Sequence, residues 1–258
     1  MVASLVIRGL LVGLVAGLLA FGFAKTFGEP AVGVAIEFES AHDAAEREAQ
    51  IKNGITPAPE EPEIFSRAVQ SGIGLLTGLL AVGAGIGGLF GVLFAFANGR
   101  MENLGPGATS TLLSLYGLWS VYVIPALKYP PNPPAIGEPE TIALRTGVYF
   151  LLMAISIAAV IGALMLRKRL AAKFGSWTGS AYAFVVYLVV IGLFMVLLPE
   201  INEVPENFPA VTLWQFRMAS LGIQTILWVS IGLMFGWLME HRAPRTAASA
   251  HSRAAVTS

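Results

Sequence analysis

The chain has 258 residues, of which 55% are hydrophobic and only 12% charged, and its formal net charge is zero. A soluble domain carries about a quarter charged residues, so much of this chain is built for hydrocarbon rather than water. The absence of cysteine excludes disulfide frameworks, thiolate metal sites and cysteine nucleophiles; three histidines, His42, His241 and His251, are too few for an imidazole-rich zinc core, and neutrality gives no sign of nucleic-acid binding.

A helix needs about 20 residues to cross ~30 Å of hydrocarbon. Six stretches meet that length: 5–24, 68–97, 109–127, 146–166, 175–198 and 218–239. In the first, Arg8 sits at the edge, where its side chain can snorkel; the other five contain no Asp, Glu, Lys or Arg. The first stretch competes with a signal-peptide reading. Its apolar run is too long for a leader and Lys25-Thr26-Phe27 is a poor cleavage site, so a retained helix is expected. Gly9, Gly13 and Gly17 recur every four residues on it and form a stripe that lets a neighbouring backbone approach.

An outer loop is expected over 28–66. It opens Gly28-Glu29-Pro30 and acquires helical composition over 36–47, where Glu39, His42 and Glu46 share one helix face. Carboxylate with imidazole suits a borderline divalent cation; the plainer reading is a solvated amphipathic helix with Asp43 and Arg47 as an i,i+4 pair. Asn53-Gly54 reads as a turn, and Thr56-Pro57-Ala58-Pro59-Glu60-Glu61-Pro62-Glu63 as an extended acidic linker. The block 68–97 is longer than one crossing requires and must tilt, kink or enter an interface. It carries Gly74 and Gly78, then Gly83, Gly87 and Gly91, a second small-residue stripe expected to cross the first; the alternative is a glycine-lined pore wall. Gln70 and Gln224 read as interhelical hydrogen-bonding amides, and Met153, Met165, Met195, Met218 and Met234 as gap fillers without a cluster.

The second outer segment, Lys128–Thr141, holds five prolines between Pro130 and Pro139, which forbid a helix and fix a stiff extended path around Asn132 and Glu138. It repeats the Gly-Glu-Pro triplet as Gly137-Glu138-Pro139. Arg167-Lys168-Arg169 with Lys173 form a basic loop between the fourth and fifth spans. The third outer segment, Leu198–Pro209, places the oxygen donors Glu200, Asn202 and Glu203 between prolines, and Trp214 and Arg217 lead into the last span as interface anchors. Six spans put both termini on one side. That side carries nine basic residues against two acids, and the other seven basic residues against fourteen acids. The basic bias makes the termini cytoplasmic and the opposite face acidic. Such a face forms a vestibule that concentrates cations, unless the acids merely collect where basic residues are not retained.

The fold expected is an all-α polytopic membrane protein, a single domain over 1–240 of about six helices (five without the first), with a flexible cytoplasmic tail over 241–258. The metal candidates are Glu29, Glu39, His42, Asn132, Glu138, Glu200, Asn202 and Glu203. No carboxylate lies inside a span, so no proton-coupling residue is visible, and no Gly-x4-Gly-Lys-Ser/Thr loop is present to hydrolyse ATP.

Several segments resemble the CbtA family. They are Leu18–Ala24 with Gly28-Glu29-Pro30, Gln70–Leu75, Lys128–Pro134, Gly137–Thr141, Pro199–Pro205 and Phe216–Gly222, spread from the first helix to the last. The resemblance implies a bacterial cytoplasmic-membrane subunit of a cobalt uptake system that serves cobalamin supply. It also implies a small partner, CbtB, with one membrane helix and a histidine-rich motif, which accounts for the few histidines here. The function expected is a permease subunit, not an enzyme, with no permanent cofactor and with cobalt as cargo, nickel second. The alternatives are a scaffold that organises a partner transporter through its glycine stripes and, last, a membrane enzyme using Glu200 or Glu203 as acid or base.

Overall fold

The computed structural model describes residues 2–57, 64–101, 104–134, 136–137 and 139–242, and among these residues it contains helices and turns but no strand. Helix α1 (Val2–Phe23) does not stop where its apolar run stops. A π-helical turn, Ala24–Gly28, joins it to α2 (Glu29–Lys52), so that 51 residues run as one helix. At 1.5 Å per residue this is roughly 75 Å, more than twice the hydrocarbon thickness. The loop expected over 28–66 is therefore corrected: it is helical as far as Lys52, and the chain turns only at Asn53 and Gly54. Pro30 lacks an N–H and crowds the carbonyl four residues before it; the extra residue of the π turn absorbs that defect, and the helix passes through. Beyond it, Ala41–Lys52 is rich in Ala, Glu, Arg, Lys and Gln, the residues that hold a helix best.

The second long helix consists of α3 (Arg67–Val69), a π turn at Gln70–Gly74 and α4 (Leu75–Ala97); the third of α5 (Pro106–Gly117), a π turn at Leu118–Val123 and α6 (Ile124–Lys128). Pro125 sits in the first turn of α6, so here too a π turn precedes a proline. After a 3-10 turn at Pro139–Thr141 come α7 (Ile142–Phe174), α8 (Ser176–Leu197) and α9 (Ala210–Arg242). The basic run expected as a loop is instead the end of α7, and Gly175, with φ +86°, makes the hairpin turn into α8. Six helices are long and apolar enough to cross a membrane, as expected from the sequence: 2–52, 67–97, 106–128, 142–174, 176–197 and 210–241. Their outward faces are apolar over large areas, with Leu11, Leu18, Leu89, Phe96, Val189, Val196 and Trp237 all exposed, a surface suited to lipid.

Side-chain size dictates the packing. The first and second long helices cross antiparallel with their backbones in contact. A Cβ at Gly9 or Gly13 would overlap the carbonyl oxygen of Gly87 or Gly83, and one at Gly17 would lie 2.5 Å from that of Leu79; Gly91 meets Leu5 in the same way. Gly74 and Gly78 take no part in this crossing: a Cβ at Gly78 would meet nothing within 4 Å, and one at Gly74 would meet only Val69 of its own turn. A second close crossing joins α5 and α9. Gly107 abuts Gly236, Trp228 covers Gly117, and the buried Ser110 hydroxyl donates to the Gly232 carbonyl at 2.7 Å. Phe90, Phe94, Leu227, Ile231 and Phe235 fill the space where α1, α4 and α9 meet. The α7–α8 hairpin joins the rest through α6, where Ile124 packs on Tyr187 and Ile191. The Trp119 indole N–H in the π turn before α6 donates to the Tyr187 hydroxyl at 2.8 Å. Arg8 lies beside Met239 and Phe23 against Gly222, so α1 and α9 are antiparallel and Val2 and Arg242 emerge at the same end. The proline-rich segments lie at the far end.

Candidate functional site: a chamber at the far end of the bundle

Two stretches distant in sequence, 129–137 and 198–209, close over the far ends of α6, α7 and α9. Their prolines keep both stretches out of regular helix, turns close at Pro133–Ile136 and Pro205–Phe208, and specific contacts hold the two together. The Tyr129 hydroxyl donates to the Pro199 carbonyl at 2.8 Å, and Pro133 is fully buried. Ile136 and Phe208 pack on Ala35 of α2, with the Phe38 ring edge-on to Phe208 at 5.1 Å. The protruding helix thus braces the loops.

Between these loops and the helices lies a chamber of about 460 Å³. The loops contribute Asn132, Asn202 and Glu203; α7 contributes Arg145 and Tyr149; α9 contributes Arg217; Tyr122 and Tyr129 complete the aromatic wall. Three of the candidate metal ligands are therefore brought together. Each already has an oxygen engaged. A guanidinium nitrogen of Arg145 lies 3.3 Å from a Glu203 carboxylate oxygen, with both side chains mostly buried. Arg217 donates to the Asn132 amide oxygen at 2.9 Å and, from Nε, to the Pro131 carbonyl at 3.4 Å. The Asn202 amide oxygen accepts the Val204 N–H at 3.4 Å. Gly137 has φ +122°, a conformation that favours glycine, and the Arg145 guanidinium fills the space a Cβ would need there.

The other candidates stand apart from the chamber. Glu29 is paired with Arg67, and Lys25 donates to Ser71 at 3.0 Å, so the first two long helices are cross-linked beside their π turns. Glu39 and Glu200 are exposed. His42 and Glu46 form a solvent-exposed i,i+4 pair at 3.3 Å, with the imidazole stacked on Phe38. Glu138 lies outside the described residues. Among the described residues no three His, Asp or Glu side chains converge in a way that could hold a metal ion. Gln70 donates to the Phe65 carbonyl at the start of its own helix.

The sequence reading gave Arg217 only the part of an interface anchor and gave Arg145 none. Each was visible as a cation at the membrane end of a span, beside a loop carrying Asn and Glu. Their presence changes the electrostatics of the site. A dication ~6 Å from one guanidinium is repelled by about 5 kcal/mol at an effective dielectric of about 20.

A six-span all-α bundle with a half-open chamber at one end, in a chain otherwise faced for lipid, defines a multi-pass membrane protein. The chain matches, over residues 2–240, the model of a family described as a probable cobalt transporter subunit, CbtA, and it belongs to that family. No curated protein and no solved structure shows significant similarity to it.

Proposed function

We propose that the chain is the permease subunit of a system that takes up a divalent transition metal, cobalt first and nickel second, across the bacterial cytoplasmic membrane. Residues 1–240 form the single membrane domain and 241–258 a cytoplasmic tail. The subunit holds no permanent cofactor, catalyses no reaction, and works with a small histidine-bearing, single-span partner resembling CbtB. The observation that carries this reading is the chamber: two stiff loops brought together over the bundle by polar contacts, with oxygen donors inside and lipid-facing helices around. Within it, Asn132, Asn202 and Glu203 meet the cargo first among the candidate ligands, and Glu39, His42 and Glu200 add exposed donors outside it. A scaffold that docks a partner through glycine stripes is disfavoured, because Gly9, Gly13, Gly17, Gly83, Gly87 and Gly91 are all occupied within the chain.

The orientation rests on Arg167, Lys168, Arg169 and Lys173 at the terminal end. The native chain has no cysteine, so single cysteines can be introduced without background. Asn207→Cys is expected to react with a membrane-impermeant maleimide in intact cells, and Lys168→Cys only after lysis. The reverse pattern would turn the chamber toward the cytosol and end the uptake reading. With the orientation settled, radioactive cobalt accumulation is expected to require both this chain and its partner. Equal accumulation with and without the chain would refute the permease role.

A further inference from the structure

The metal-uptake reading leaves open the chemical form in which the metal arrives, and the chamber bears on that form. Its described lining carries two guanidinium groups, Arg145 and Arg217, against one carboxylate, Glu203. The amide oxygens of Asn132 and Asn202 are engaged by protein donors, and so is a Glu203 oxygen. Arg217 uses only two of its five N–H bonds in the contacts described, to Asn132 and Pro131, and among the described residues it has no carboxylate partner. Guanidinium groups therefore outnumber carboxylates in the described lining of a half-open space whose volume falls within the ~300–1,000 Å³ of small-molecule sites. A bare cation needs the opposite lining, oxygen lone pairs free to replace its water. A guanidinium fork matches a carboxylate in shape and charge.

We propose that the chamber receives the metal as an anionic complex with a small polycarboxylate, and that Arg217 grips a carboxylate of that complex. This proposal rests on the metal-uptake reading for its cargo and on the chamber alone for its chemistry. No covalent step is involved: the ligand binds through charge-assisted hydrogen bonds, and the metal stays within its chelate.

The test uses the full chain in nanodiscs, with radiolabelled citrate as the probe, alone and with equimolar cobalt, and inorganic phosphate as competitor. Cobalt-dependent citrate binding that phosphate does not displace is expected. Arg217→Gln should weaken it by at least about tenfold, the value of one lost charge-assisted contact. Arg217→Lys, which keeps the charge but not the fork, should fall between, and it guards against a glutamine variant that misfolds. Arg100→Gln, at the terminal end of the bundle, should bind like the native chain. The proposal is overturned if citrate fails to bind, if both Arg217 variants bind as the native chain does, or if phosphate competes equally. Uptake measured in parallel separates the two readings. Cobalt accumulation without chelator, together with absent citrate binding, removes this proposal and leaves the permease standing. Arg217-dependent citrate binding with no cobalt accumulation in any form does the reverse.

Discussion

Gly13→Leu and Gly87→Leu are each expected to destabilise the protein by about 3 kcal/mol or more and to abolish recovery of folded material from membranes, whereas Gly78→Leu should be close to neutral. Overpacking a well-packed core usually costs ~1–3 kcal/mol because neighbouring side chains can shift. At Gly13 and Gly87 the obstacle is backbone: the new Cβ would overlap the carbonyl oxygens of Gly83 and Gly9, which have no rotamer to change. Relief requires the two long helices to move apart along their whole shared length, which would also loosen Phe90 and Phe94 from Phe235. Gly78 lies on the same helix in the same lipid but faces open space. The comparison therefore isolates packing from any general intolerance to leucine. Thermal unfolding in a single detergent, followed by gel filtration, provides the readout. Equal stability of all three variants would mean that the glycines do not hold this crossing.

The parts of the fold legible in the sequence were those governed by local rules. Spans are bounded by the cost of charge in hydrocarbon, so their cores can be read from the absence of Asp, Glu, Lys and Arg. The α1 stripe and the later half of the α4 stripe could be read because a spacing of four keeps small residues on one helix face. Extending the second stripe back to Gly74 and Gly78 failed because helix crossings are local. Gly78 and Gly83 are five residues apart rather than four, which takes Gly78 off the crossing face, and the position opposite Gly17 is filled by Leu79. Gly28-Glu29-Pro30 resembles a helix end, yet it lies within a continuous helix, because a π turn can absorb a proline and nothing in the residue pattern announces the π turn. The second crossing was missed for a different reason: Gly107, Gly232 and Gly236 sit on two helices far apart in the chain, and only Gly232 and Gly236 show the spacing of four.

The candidate site was half legible. Proline framing marked both loops, and oxygen donors marked Asn132, Asn202 and Glu203. Their partners could not be read, because Arg217 and Asn132 are 85 residues apart and meet only once the bundle has formed. Counting charges by membrane face gave an acidic surface overall, but it averaged over a chamber that Arg145 and Arg217 line. A site's charge is set by the few groups that converge there, and the total on that face of the membrane is a poor guide to it.

The Arg145–Glu203 pair ties one chamber loop to α7, and Arg145→Ala is expected to lower both stability and metal uptake. The two side chains are 29% and 13% exposed, so the pair lies between a surface bridge, worth ~0–1 kcal/mol, and a fully buried one, which costs ~3–5 kcal/mol to break from one side. Discounted for the remaining solvent access, Arg145→Ala should cost about 1–2 kcal/mol, largely by removing the guanidinium beside the Glu203 carboxylate in a half-enclosed site. Glu203→Gln added to Arg145→Ala should restore part of that loss, since a neutral amide costs less to half-bury than a carboxylate that has lost a neighbouring cation. A double-mutant cycle with coupling near zero would show that the two residues are neighbours without being partners. Uptake should follow a different pattern. If the loops must be held together over the chamber, the double variant stays impaired even where its stability recovers, because neither side chain any longer ties 198–209 to α7. Recovery of uptake along with stability would place the chamber's work on other residues and leave Arg145 with a purely structural part.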